Sequence, residues 1–432
     1  MAKHKGVRSW VMYDWANSAF STVVQAGFFP IFFKDFWSKG AEVTESTWRL
    51  GLAVSTASLI VAMLAPILGA FADRGAAKKR LLFVFAILGI LGSAGFYFIA
   101  AGKWQMAAIC YVISNIGFLG SLVFYDSLII SVSDESNVDK ISGRGYAFGY
   151  LGGGLLFLLN VIMVQKPAWF GFAGEAEAVQ FSFLTVAIWW AIFAIPLFLN
   201  VPEPGGQKIS WRRAAAEGFS QLAGTLREIR KLKVVVAFLI AYWLYIDGVD
   251  TIITMAVDYG KSIGVATPDL ITALLLVQFV GFPFAYLLGS LGQKLGAKKL
   301  ILFGIGIYVI VTVLGANLTL EPYNIFGFQV SQFYALAFLI AMVQGCIQAL
   351  SRSFYSRLIP KDKAAEFYGF YNMLGKFAAI IGPVLMGGVG KLTGNPRLGI
   401  QSIAILFLAG GLLLWRVNEQ EGRRMAEEMS RA

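Results

Sequence analysis

The sequence predicts an all-α polytopic membrane protein, with twelve transmembrane helices in two six-helix pseudo-repeats. Three observations carry that expectation. The 432 residues are 57% hydrophobic and only 14% charged, where soluble chains carry about a quarter charged residues. Apolar segments of roughly 20 residues, each long enough to cross the ~30 Å hydrocarbon core as a helix, recur about twelve times. A polar stripe in the first of these segments returns in the seventh. Strands of a membrane β-barrel run about half that length and alternate in polarity, which these segments do not.

The spans are expected at 8–33, 49–72, 81–101, 104–132, 145–165 and 180–200 in the first half. In the second half they fall at 233–257, 269–290, 299–316, 331–357, 366–389 and 398–416. Residues 1–200 thus form an amino-terminal six-helix bundle, and 233–432 a carboxyl-terminal bundle with its tail. Between them, 201–232 opens with Pro202, Pro204, Gly205 and Gly206, which break the helix. The rest of that segment reads as a basic amphipathic helix held on the cytoplasmic face by anionic headgroups. Of the 36 Lys and Arg, 27 fall in the amino tail, even-numbered loops and carboxyl tail, 8 in the odd-numbered loops, and Lys376 inside a span. That bias places both termini in the cytoplasm and the protein in the cell (inner) membrane as a multi-pass protein.

Within the first span, Asp14, Asn17, Ser18, Ser21 and Gln25 are spaced i, i+3, i+4, i+7, i+11 and make one helical stripe. A carboxylate in a membrane helix costs a few kcal/mol unless it faces protein or water, so the stripe points inward. Asp247, Asp250, Thr251, Thr254 and Asp258 repeat all five positions. The loops GAFADRGAAKKRLLF from Gly69 and GSLGQKLGAKKLILF from Gly289 echo each other at a constant offset, as do YAFGYLGGG from Tyr146 and YGFYNMLGK from Tyr368. Duplicated halves with polar sites on matching helices are the mark of a secondary transporter.

The pattern Gly69, Asp73, Arg74, Gly75, Lys78 to Arg80 resembles the loop-2/3 signature of the major facilitator superfamily, departing from it around Gly75, where Ala76 and Ala77 follow. YDWANSAF, LYIDGVDTI, QALSRSFYSRLIP and FYGFYNMLGK together resemble the Atg22-like, or UMF1, branch, over essentially the whole chain. The resemblance implies two six-helix bundles around a central cavity lined by spans 1, 4, 7 and 10, with alternating access. It also implies that Gly69, Asp73 and Arg74 act as a conformational gate, with Asp73 capping the amino end of span 11. The branch is associated with amino acid efflux from the fungal vacuole.

Independently of that resemblance, intramembrane charge falls at Asp14, Asp126, Asp247, Asp250, Arg352 and Lys376, five of the six on spans 1, 4, 7 and 10. The first half contributes only acids, and both bases come from the second. A zwitterion bridging the halves would place its ammonium toward Asp14 or Asp126 and its carboxylate toward Arg352 or Lys376. Asn17, Gln348 and Tyr245 are expected to complete the substrate site. Asp14 pairing with Arg8 at the rim, and Asp126 with Arg352 as an intracellular gate, are the competing readings. Asp247 and Asp250 lie one turn apart, where two carboxylates repel, and are the candidates for coupling to H+ in preference to Na+.

The function this supports is secondary active transport of a small polar or zwitterionic solute, an amino acid or short peptide, with proton coupling. A lipid or lysolipid carrier, or a membrane receptor that does not transport, are the alternatives. The charge distribution argues against nucleic acid as a partner, membrane lipid surrounds the chain, and a monomer is expected. No cofactor is expected, nor a metal site: the sole histidine, His4, lies in the tail. Without a Gly-x-x-x-x-Gly-Lys-Ser/Thr loop, ATP-driven pumping and enzymatic turnover are disfavoured.

Overall fold

A computed structural model describes residues 2–41, 49, 52–53, 56–65, 68–69, 72, 77–203, 229, 231–325 and 328–431. The side chains of 2–4, 258, 261, 262, 267, 325, 328, 329, 376–380, 391 and 431 lie outside that description. So do Asp73, Arg74 and most of the segment between the halves, 204–228.

The chain is helical nearly throughout. We number the helices by the span each represents: α1 (Ala2–Ala19), α2 (Thr56–Ala65), α3 (Lys78–Phe98), α4 (Trp104–Val132), α5 (Val138–Gln165) and α6 (Glu175–Asn200). The second half supplies α7 (Lys233–Ser262), α8 (Thr267–Leu295), α9 (Ala297–Ala316), α10 (Gln332–Leu358), α11 (Ala364–Thr393) and α12 (Pro396–Arg416). Among the described residues nine of these, α3 to α10 and α12, are long and apolar enough to cross a membrane. The coil of α1 continues through wider π-type turns at Phe20–Phe28 and Phe33–Trp37, so the helix runs well beyond both expected ends.

Outward faces are apolar. Ile188, Ile192, Ile195 and Leu199 on α6 are spaced i, i+4, i+7, i+11 and are all exposed, as are Ile405, Leu408, Leu412 and Trp415 on α12. A soluble helix buries such a stripe, whereas a membrane-spanning helix can turn it outward.

Two compact units emerge: Met1–Val132, Phe148–Leu222 and Lys363–Met373 in one, Ser133–Ala147, Ala223–Asp362 and Leu374–Ala432 in the other. Within the first, α1 packs on α6, α3 on α4, and α3 on α6. Within the second the same pairings recur six helices on: α7 on α12, α9 on α10, and α9 on α12. Helices α5 and α11 are each divided between the units, α5 near Ala147 and α11 near Met373.

Glycine lets α5 approach α1 closely. A Cβ on Gly149 would lie 2.5 Å from Ser18 Oγ, and one on Gly152 2.7 Å from the Trp15 carbonyl oxygen. On α11, Gly382 packs closely against α7, while a Cβ on Gly387 or Gly388 would meet nothing among the described residues.

Two tryptophans near the ends of the first expected span are core residues. Trp10 and Trp37 are fully buried. Burial is feasible because each indole N–H reaches a backbone carbonyl, Tyr125 at 3.1 Å and Ile99 at 3.2 Å. Trp169, on a connection, is exposed.

Two elements had no counterpart in the sequence reading. Tyr323–Ile325 and Phe328–Val330 pair as a short antiparallel hairpin between α9 and α10. Beyond α12 a polar helix, α13 (Glu419–Arg431), packs on α10 and α7.

Candidate functional site

The polar stripe of α1 lies inside the first unit. Asp14 is buried and accepts a hydrogen bond from the Tyr125 hydroxyl at 2.6 Å. Tyr125 is in turn stacked on Trp10, with ring centroids 4.5 Å apart. Three turns further on, the Gln25 amide donates to Asn115 at 2.8 Å. Asn17 is buried between them, and its amide nitrogen has no hydrogen-bond partner among the described residues. The stripe is thus anchored to α4 at both ends.

Removing the phenolic oxygen tests that anchoring. Tyr125→Phe is expected to lower stability by about 1–3 kcal/mol, the range for a hydrogen bond to a charged or buried group. Thermal unfolding of purified protein measures it, and an unchanged midpoint would show that Asp14 draws nothing from Tyr125.

On α4, Asp126 is buried and accepts from the Asn372 amide at 3.3 Å; Asn372 also donates to the Tyr368 carbonyl one turn back on α11. Gly69 lies in the same unit, against the backbone of Ala365 and Glu366 at the start of α11.

In the second unit, Asp247 is fully buried on α7. Its Oδ1 accepts the backbone N–H of Gly382 on α11 at 2.9 Å and the Thr251 hydroxyl at 3.4 Å. Asp250 is half-buried one turn on, and Tyr245, fully buried half a turn before, shares a 2.7 Å hydrogen bond with Ser351 on α10. Gln348 is half-buried on α10; the Lys376 side chain lies outside the described residues.

Arg352, only 2% exposed, engages the first turns of α5. Its Nε donates to Ser142 Oγ at 2.9 Å and a terminal nitrogen to the Ser142 carbonyl at 3.1 Å, while the guanidinium sits 4.5 Å from the Tyr146 ring centroid. Further along α10, Arg357 meets Asp139 at 2.6 Å, and Ser353 donates to the other Asp139 oxygen at 2.5 Å. Both charges of that pair are buried. From there an alternating chain continues through Glu419 and Arg423 on α13 to Glu135, 3.0 Å from Arg423.

The structure therefore gathers Asp14 and Asn17 in one unit with Asp126 and Gly69, and Tyr245, Asp247, Asp250, Gln348 and Arg352 in the other. Sequence reasoning missed Asp139 and Arg357. Asp139 stands in a polar connection (SDESNVDK) that reads as solvated, and the usable signal was a second arginine just past Arg352 in SRSFYSR.

Comparison with known proteins gives the same reading. The family described as "Vacuole effluxer Atg22 like" matches residues 2–134 and 130–427. The chain is 37% identical over 428 residues to the MFS-type transporter YxiO of Bacillus subtilis (strain 168), covering 99% of this chain and 98% of that protein. It is 23% identical over 540 residues to autophagy-related protein 22 of Coccidioides immitis (strain RS), covering 99% and 89%. Among solved structures it is similar to the major facilitator superfamily proton:xylose symporter XylE, with a TM-score of 0.70 at 15% identity over 99% and 98% of the two chains. FucP, a transporter of the same superfamily in its outward conformation, gives a TM-score of 0.69 at 12% identity over 96% and 98%. At those identities the likeness shows the fold, a major facilitator fold. The sequence relatives are transporters, not enzymes. A multi-pass helical chain with buried carboxylates and a buried arginine on α1, α4, α7 and α10, matched by one family along its length, belongs to the Atg22-like family of major facilitator transporters.

Proposed function

We propose that this transporter is a secondary active carrier of a small polar or zwitterionic solute, an amino acid or short peptide, working by alternating access with proton coupling. The observation that supports this best is the placement of ionisable groups. In a chain this apolar, Asp14, Asp126, Asp247 and Arg352 are buried on α1, α4, α7 and α10, and each is hydrogen-bonded to polar protein groups. Membrane helices retain such residues at a cost of several kcal/mol, and transport pathways are where that cost is repaid in function. The vacuole-effluxer description of the family and the proton symport of XylE are properties of those proteins, and they agree with this reading.

In this proposal residues 1–200 and 233–432 are the two bundles, joined by 201–232, with both termini in the cytoplasm and the carrier acting as a monomer in the cell membrane. The ammonium group of the solute is met by Asp14 or Asp126, with Asn17 alongside. Its carboxylate is met by Lys376 or Arg352, with Gln348 and Tyr245 alongside. Gly69, Asp73 and Arg74 gate access.

The test is binding of radiolabelled amino acids and dipeptides to purified protein, followed by counterflow in proteoliposomes. Arg352→Ala and Lys376→Ala are each expected to weaken binding at least about tenfold, the loss of one charge-assisted contact. Wild-type affinity in both variants would reject the assignment of a zwitterion.

A further inference from the structure

We propose that Asp247 is the proton-binding group of this carrier and that α11 reads its charge through the Gly382 amide. This deepens the proton coupling proposed above and rests on that reading only for the link to transport.

Asp247 is fully buried, and its two oxygens are treated differently. Oδ1 holds the Gly382 N–H at 2.9 Å and the Thr251 hydroxyl at 3.4 Å. Oδ2 is buried and has no hydrogen-bond partner among the described residues. A carboxylate oxygen without donors is costly in an apolar surround, and a proton on it removes the charge.

What Asp247 grips is the turn of α11 that carries its proline. Pro383 has no N–H to give the α11 ladder, and its ring disfavours helical geometry at the residue before it. That residue is Gly382, and only glycine fits: a Cβ there would overlap Thr251 Oγ1 and come within 2.8 Å of Asp247 Oδ1. The carboxylate therefore bonds the backbone at the point where α11 can bend.

Protonation changes that grip. Ionised, Asp247 holds Gly382 by a charge-assisted bond, roughly twice as strong as a neutral one. When a proton passes from water to Oδ2, the carboxylate becomes a carboxylic acid, the bond weakens, and α11 is released at Pro383. Return of the proton to water restores the grip. No electron moves and no other reactant is needed.

The charged neighbours are few. On α7 itself, Asp250 lies one turn away. Helix α10 brings Arg352 and Arg357, already held by Ser142 and Asp139, and the thiol of Cys346. Helix α12 brings Arg397, bound to the Ala316 and Leu318 carbonyls, and Arg416 at its end; α8 brings Asp269, bound by Tyr334, and Lys294. On α13, Glu419 and Arg423 pair with each other. Tyr371 and Lys376 belong to α11, the latter with its side chain outside the described residues.

Two measurements on full-length purified protein test this without a known substrate. Infrared difference spectra over a pH titration are expected to show a carboxylic-acid C=O band that forms on acidification, is absent in Asp247→Asn and persists in Asp250→Asn. Hydrogen exchange at Gly382, corrected for intrinsic rate, is expected to speed up about tenfold on acidification in wild type and to be fast at every pH in Asp247→Asn. Titration with Na+ at fixed pH is expected to change neither. A band that survives in Asp247→Asn, exchange at Gly382 that ignores pH in wild type, or a response to Na+ would each overturn the proposal. The wild-type exchange result decides the matter even if Asp247→Asn does not fold. Failure of the transport reading looks different: the band and the exchange switch are present, but no solute flux moves protons in proteoliposomes.

Discussion

Arg357→Ala is expected to lower the unfolding free energy by about 3–5 kcal/mol, because it leaves the Asp139 carboxylate buried without its counter-charge. Asp139 has no exposed side-chain surface and Arg357 has 5%, so water cannot replace the lost partner. The same substitution frees Glu419 from its 3.6 Å contact with Arg357, adding like-charge exposure near Asp139. Removing both charges together, in Asp139→Asn with Arg357→Leu, should recover much of the loss, since the desolvation penalty leaves with the pair. At the other end of the chain of charges, Glu135→Gln should cost no more than about 1 kcal/mol, because Glu135 and Arg423 are 51% and 33% exposed and water already screens them. Denaturation of the purified protein followed by tryptophan fluorescence separates these cases. Equal losses for Arg357→Ala and Glu135→Gln would mean that the buried pair is solvated in solution.

The contrast between those two ion pairs also shows what a sequence can and cannot reveal. Asp14 and Asp247 were legible because a carboxylate inside an apolar run has a cost that marks it whatever its neighbours are. Their equivalence was legible too, although the expected spans placed them at different depths. The structure removes that mismatch: α1 starts at Ala2, so Asp14 is the thirteenth residue of its helix and Asp247 the fifteenth of α7. Asp139 was not legible, since among Asp134, Glu135 and Lys140 it looks like one more solvated charge, and only the arrival of α8 and α10 from the second half of the chain buries it. The same holds for Trp10 and Trp37. An aromatic near a span end is belt or core depending on whether a carbonyl meets its N–H, and that partner is supplied by another helix. Gly382 and Gly387 share a helix and a residue type, yet a Cβ on the first would meet α7 and one on the second nothing among the described residues. Repeats and isolated intramembrane charges survive translation from sequence to structure because they are properties of one segment; contacts are properties of two.

Gly143→Val and Gly69→Val are each expected to cut solute counterflow at least about tenfold while destabilising the packed form by about 1–3 kcal/mol or more. A Cβ on Gly143 would stand 2.6 Å from the Gly289 Cα and 2.8 Å from the Ala285 carbonyl oxygen; one on Gly69 would overlap the Ala365 carbonyl and lie 2.8 Å from its carbon. These are backbone atoms, which cannot swing aside as a side chain can, so the helices must part. The two contacts are also one contact made twice. The offset that pairs the loop glycines sets Gly69 opposite Gly289, and the offset that pairs Tyr146 with Tyr368 sets Gly143 opposite Ala365. In each unit, then, the start of α5 or α11 is pressed against the end of the second helix of the other repeat. Helices that must separate and close again in a working cycle need a contact that is tight but free of interlocking side chains, and a glycine facing backbone meets that need. Gly387→Val, with open space around it, serves as the control and should stay within about 0.5 kcal/mol of wild type. If Gly143→Val and Gly69→Val instead transport at the wild-type rate, the close approach of these helix starts has no part in the cycle, and the repeat would explain only how the fold arose.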